Sequence, residues 1–183
     1  SAFLVKQEKL SPKWEENKMT VYEIKTISVR LNLSDNLRPA SSPGAVVEFA
    51  NGIYADLDDD QEHFTVISLD ARNKVRGFKT IATGGATSCQ VFPREVFRNA
   101  LLLGAVGIVL VHNHPSGDPT PSGDAHDMTR RIMAAGQMVG VEIHDSIVLG
   151  NGGKFFSMRE QVYLWRRWEE EAKSRTIFPE GGK

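Results

Sequence analysis

Val111-His112-Asn113-His114-Pro115-Ser116-Gly117-Asp118-Pro119-Thr120-Pro121-Ser122-Gly123-Asp124 joins a strand to a helix through a proline-rich loop and carries two histidines two residues apart. Ile108 to His114 is β-branched and apolar and predicts a strand. Alternate strand residues share a face, so the imidazoles of His112 and His114 point the same way and Asn113 points opposite. Two neutral imidazoles on one face suit a zinc ion, with bonds of about 2.0–2.1 Å. An isolated His-x-His pair ordinarily binds nothing. Here Pro115, Pro119 and Pro121 stiffen the loop that follows, Ser122 caps a helix, and a carboxylate stands at that helix's start. Three protein ligands and a water would make an open, catalytic zinc site.

Working outward, Ser122 opens a helix whose apolar face is Met128, Ile132, Ala135 and Met138 or Val139. Upstream, Pro93 starts a helix with Val96, Phe97, Ala100 and Leu101 at helical spacing, ended by Gly104 and Gly107. Glu62 to Leu69 and Val75 to Ile81 read as strands joined by an Asp70-Ala71-Arg72-Asn73 turn, and Ser88 to Phe92 reads as a third. Ser42-Pro43 caps a first helix over Gly44 to Ile53. Beyond the Ser122 helix, Ile147 to Leu149 and Lys154 to Ser157 form a hairpin across Asn151-Gly152-Gly153. Strands grouped ahead of a helix indicate an α+β fold with a mixed sheet rather than a regular βαβ alternation.

The ends are simpler. Residues 1–18 are polar and unpatterned, 20–31 alternate like a strand, and 32–43 read as a linker. This gives an N-terminal arm and strand over 1–41, a core domain over 42–160 and a helical extension and tail over 161–183. The extension carries Leu164, Trp165 and Trp168 and lies on the body or on a second subunit, which leaves a homo-oligomer open. The chain starts at Ser1 rather than at a methionine, which leaves room for a longer protein upstream.

Composition narrows the partners. With 22 Lys plus Arg against 23 Asp plus Glu, the net charge of −1 gives no electrostatic argument for nucleic acid or an anionic membrane. No run approaches the roughly 18 apolar residues of a membrane span, and no signal peptide is visible. The single cysteine, Cys89, excludes an intramolecular disulfide and reads as a buried small residue. Together these set a cytoplasmic expectation.

The motif then becomes specific. His112 and His114, followed after seven residues by Ser122, match the JAMM pattern of an upstream Glu, His-x-His, Ser and Asp. His-Asn-His-Pro-Ser-Gly, Glu62-His63-Phe64, Pro93-Arg94-Glu95-Val96-Phe97 and Thr129 resemble the RadC branch of the JAB/MPN (JAMM) family in particular, over about residues 42–160. The resemblance implies an MPN/JAMM (cytidine-deaminase-like) fold with a mixed, curved sheet flanked by helices. It also implies a zinc ion (Zn2+) and metallopeptidase chemistry on a peptide or protein substrate. Glu62 stands where the family's general base lies, and would share a face with Phe64 and Val66. Its rival, Glu95, sits in a helix's first turn, where the dipole alone favours a carboxylate. Ser122 would steady an oxyanion while also capping its helix.

Two positions depart from the family. Its aspartate belongs three residues after Ser122, where this chain has Ala125, and Asp124 stands one earlier. One residue on a helix is a rotation of about 100°. Asp124 is the expected third ligand, with His126 and Asp127 as other candidates. The family's Asp-His pair here reads Asp145-Ser146, with His144 next door. Three functions follow as expectations: a zinc-dependent hydrolase of peptide or isopeptide bonds, a degenerate non-catalytic MPN binding module, or an accessory protein of DNA repair.

Overall fold

The computed structural model describes residues 40, 42–84 and 91–175, all within one of the two units into which the chain divides, Leu31–Lys183. The arm, the 20–31 strand and Cys89 lie outside the described residues, as does most of the strand expected over Ser88 to Phe92. Phe92 is the extended N-cap of a helix. The described elements run α1 (Pro43–Tyr54), β1 (Glu62–Leu69), β2 (Val75–Gly84), α2 (Pro93–Leu102), β3 (Gly107–Asn113), α3 (Gly123–Val139), β4 (Glu142–Leu149), β5 (Phe155–Ser157) and α4 (Val162–Ser174).

The strands form one mixed sheet in the order β2-β1-β3-β4-β5. β1 is antiparallel to both β2 and β3, β3 and β4 are parallel through the α3 crossover, and β5 returns antiparallel. This is the α+β architecture that the sequence predicts. Both faces of the central strands are covered, which explains why β3 reads as a continuous apolar run. On one face Ile67, Val109, Val111 and Ile147 pack against Val46, Val47 and Ala50 of α1. On the other, Phe64, Val66, Ile108, Leu110 and Val148 meet Val96 and Phe97 of α2, Met128 and Ile132 of α3, and Trp165 and Trp168 of α4. Each large side chain buried this way contributes about 1.5–3 kcal/mol.

The helix ends follow their sequence signals. Ser42 Oγ accepts from Ala45 N at 3.3 Å, with Pro43 in the first helical position. α3 ends on Gly140 at φ 76°, the left-handed turn that favours glycine. α4 packs on the body of its own chain, with Trp165 and Trp168 buried and the Trp165 indole donating to Glu169 Oε1 at 2.9 Å. β4 begins at Glu142, five residues before the Ile147 expected, because Asp145 and Ser146 are buried in a strand whose pattern they interrupt. No described helix is long and apolar enough to cross a membrane.

Candidate metal centre

β1 and β3 bring the site together. Their antiparallel register pairs Phe64 with His112, so Glu62, two residues earlier on β1, shares the face of His112 and meets His114 just past the end of β3. One ligand atom from each of Glu62, His112 and His114 lies within 4.8 Å of the other two. The face is the one on which α2 and α3 pack, as the alternation of Phe64 and Val66 requires.

The two histidines are held differently. His112 is buried at 2 % exposure, stacked on Phe64 with ring centroids 6.0 Å apart. Burial first, and then the neighbouring His114, pushes its pKa down to about 3, so the ring is neutral with its lone pair free. His114 is partly exposed, and its Nδ1 lies 2.8 Å from the carbonyl oxygen of Asp118. A carbonyl only accepts, so Nδ1 carries the hydrogen and Nε2 keeps the lone pair, the arrangement of a metal-ligating histidine. Burial pushes the Glu62 carboxyl up, against the opposing pull of His114.

The loop that carries His114 is docked on the turn between β4 and β5. His114 N donates to Leu149 O at 2.9 Å, and Asn151 N donates to Gly117 O at 3.0 Å. Gly117 has φ 79°, and a Cβ there would stand 2.5 Å from Asn151 Nδ2, so a larger residue would be strained and would push the Asn151 side chain aside. Asp118 stiffens the same loop by accepting from Thr120 N at 3.0 Å and Thr120 Oγ1 at 2.7 Å, and these bonds hold its carboxyl below the usual range. The sequence places Asn151 in a hairpin turn but carries no sign of its bond to Gly117 or of the role of the Asp118 carbonyl. The Asp-Pro-Thr signal for a side-chain turn at 118–120 was present.

The donor set fits a metal. His112 Nδ1 is buried without a hydrogen-bond partner, an exception among buried polar atoms, so the ring is a polar group that the surrounding protein leaves unsatisfied. The second imidazole, on His114, is a common ligand of divalent transition metals, and the Glu62 carboxylate stands beside the pair.

The other candidates lie apart from these three. Asp124 is exposed in the first turn of α3, where Ser122 Oγ accepts from Ala125 N at 3.1 Å and completes the cap. Ala125, at the position of the family's aspartate, is buried in the apolar core. His126 turns toward Trp168, ring centroids 5.5 Å apart, and Asp127 pairs with Arg130 at 3.0 Å. Glu95 pairs with Arg94 at 3.3 Å and Arg98 at 3.8 Å. Ser146 Oγ accepts from Thr129 Oγ1 at 3.0 Å, a buried pair that needs no imidazole. His144 is half-buried, 3.9 Å from Glu142, and burial pushes it down. The buried Asp145 carboxylate accepts from Ser146 N, Ser157 Oγ and Arg159 N, which ties β4 to β5.

A mixed sheet with a Glu-His-His cluster at the ends of β1 and β3 defines a JAB-type domain, and the comparisons with known proteins agree. The chain belongs to the RadC-like JAB domain family, whose profile it matches over residues 40–163. It is similar to a UPF0758 protein of Symbiobacterium thermophilum, 43% identical over 123 residues that cover 67% of this chain and 51% of that protein. A UPF0758 protein of Desulfitobacterium hafniense is 43% identical over 105 residues, covering 57% of this chain and 46% of that one. One from Geobacillus is 44% identical over 104 residues, with 57% and 46% covered. The chain spans about half the length of these curated relatives.

Proposed function

We propose that this domain is a zinc-dependent hydrolase of peptide or isopeptide bonds, with His112 and His114 holding the ion and Glu62 as general base. The observation that carries the reading is the convergence of Glu62, His112 and His114 within 4.8 Å, with both rings prepared to offer a lone pair. Zinc in such a site supplies Lewis acidity, which polarises a carbonyl and acidifies water. Glu62 takes a proton from the attacking water on a carboxylate oxygen and returns it to the leaving nitrogen. A carboxyl pushed up by burial is better matched to that exchange near neutral pH. Ser122 caps α3 with an oxygen lone pair, so its hydroxyl hydrogen remains able to donate to a developing oxyanion.

One observation favours a second reading, a metal-poor MPN module that only binds a partner. The family's ligand position is the buried Ala125, and Asp124 faces solvent. The experiment that separates the two is a screen of peptides and isopeptide-linked tails against the zinc-loaded protein. Cleavage that is lost in Glu62→Gln supports the hydrolase. A protein that retains little zinc and cleaves nothing supports the module.

A further inference from the structure

We infer that Asn113, between the two histidines, is the positioning residue that sets Glu62 against the metal centre. The inference rests on the proposed role of Glu62 and concerns a residue that touches neither the ion nor the reacting atoms.

The strand geometry creates the need. The β1–β3 register ends at Phe64 and His112, and beyond it β3 follows β4 instead: Asn113 pairs with Leu149, and His114 N donates to Leu149 O. Glu62 is the first residue of β1 and lies past the last β1–β3 pair. β2 holds the other edge, where Glu62 pairs with Gly84. The edge toward β3 and its histidines lacks a ladder pair at this point, and a general base displaced by about 1 Å loses on the order of a hundredfold in rate.

Asn113 replaces the missing ladder. Its Oδ1 accepts from His63 N at 2.8 Å and its Nδ2 donates to Gln61 O at 2.8 Å. The two bonds fall on either side of Glu62, so both of its peptide neighbours are fixed to β3. A donor and an acceptor in one short planar group are what a backbone amide would have offered; aspartate lacks the donor. Alternation on β3 sends the Asn113 side chain away from His112 and His114, so the clamp works without occupying the site. Further bonds brace it. Tyr54 Oη lies 3.0 Å from the carbonyl oxygens of both His63 and Val111 and shares its hydrogen between them. The His63 ring donates from Nε2 to Asp58 O at 2.8 Å, which leaves Nδ1 to accept from Thr83 Oγ1 at 3.0 Å.

The test compares the parent with Asn113→Ala, Asn113→Asp and Glu62→Gln. Three things are read: amide hydrogen exchange at His63 and Val66, the visible spectrum of the cobalt(II)-loaded protein, and kcat against KM on any peptide the parent cleaves. Asn113→Ala should speed exchange at His63 by about tenfold, the worth of one hydrogen bond, and leave Val66 unchanged. It should bind cobalt stoichiometrically with a spectrum moved toward that of Glu62→Gln. Its kcat should fall by ~10–100-fold with KM little changed. Asn113→Asp keeps the acceptor for His63 N and should fall between parent and Asn113→Ala; it also stands in if the alanine variant does not fold. An unchanged His63 rate, equal acceleration at His63 and Val66, or a spectrum identical to the parent's while Glu62→Gln differs would each overturn the positioning role alone. A parent that binds no cobalt would sink the metal reading itself, whatever Asn113 does.

Discussion

His112 stacks on Phe64 across the β1–β3 pair, with 13° between the ring planes and their Cα atoms in register. This apolar face holds the imidazole neutral down to about pH 3. The unfolded chain takes up that proton near 6.5, so the folded state binds fewer protons between the two values. The stability His112 contributes by staying neutral is complete above about 6.5 and is lost as pH falls toward 3. Metal-free protein should therefore lose Tm as pH drops from about 7 to 4. His112→Phe, which keeps a ring against Phe64, should lose less over the same span. Equal slopes in the two proteins would count against the buried neutral imidazole.

Glu62 has the opposite sign. Burial raises its folded pKa above 4.5, so the fold disfavours its ionised form. That cost is absent below 4.5 and grows as pH rises through the folded value. Metal-free Glu62→Gln should gain Tm on the parent between acid and neutral pH. On a cleavable substrate the same variant should keep zinc affinity near the parent's and lose turnover by ~10²–10⁴-fold. Full activity in Glu62→Gln would remove the base assignment and bring Glu95 forward.

Local signals carried the sequence reading where side chains act within their own element. The Ser42 and Ser122 caps, the Pro93 start and the alternation that puts His112 and His114 on one face are all one-element statements, and all appear in the fold. What stayed illegible spans elements. Asn113 grips backbone about 50 residues away, and Asn151 seats the His114 loop from the far side of α3. β4 was read short because Asp145 and Ser146 look polar until Ser157, Arg159 and Thr129 satisfy them. Asp124 stands exposed in the first turn of α3, beside the cap made by Ser122.

Gly117→Ala should act on the loop and spare the sheet. The added Cβ collides with Asn151 and requires a left-handed backbone, at a cost of about 1–2 kcal/mol. Zinc affinity should fall by about tenfold, as for other residues that orient ligands, with Tm lowered by only a few degrees. Calorimetric zinc titration beside a melting curve reads both. Unchanged affinity would mean that the loop's seat on the β4–β5 turn does not set His114.

Asp124→Ala should change zinc affinity by less than about tenfold, because the carboxylate stands in solvent outside the converging set. His114→Ala, measured alongside, should lose far more. A loss in Asp124→Ala as large as in His114→Ala would make Asp124 a ligand and require the first turn of α3 to rearrange around the ion.

Whether His112 and His114 hold a metal ion is decided by the metal content of the purified protein. The protein, dialysed against micromolar zinc and assayed by inductively coupled plasma mass spectrometry beside His112→Ala, should carry about one zinc per chain, and the variant almost none. A folded parent that retains no zinc, or a His112→Ala variant that retains as much as the parent, would contradict a metal site at these residues.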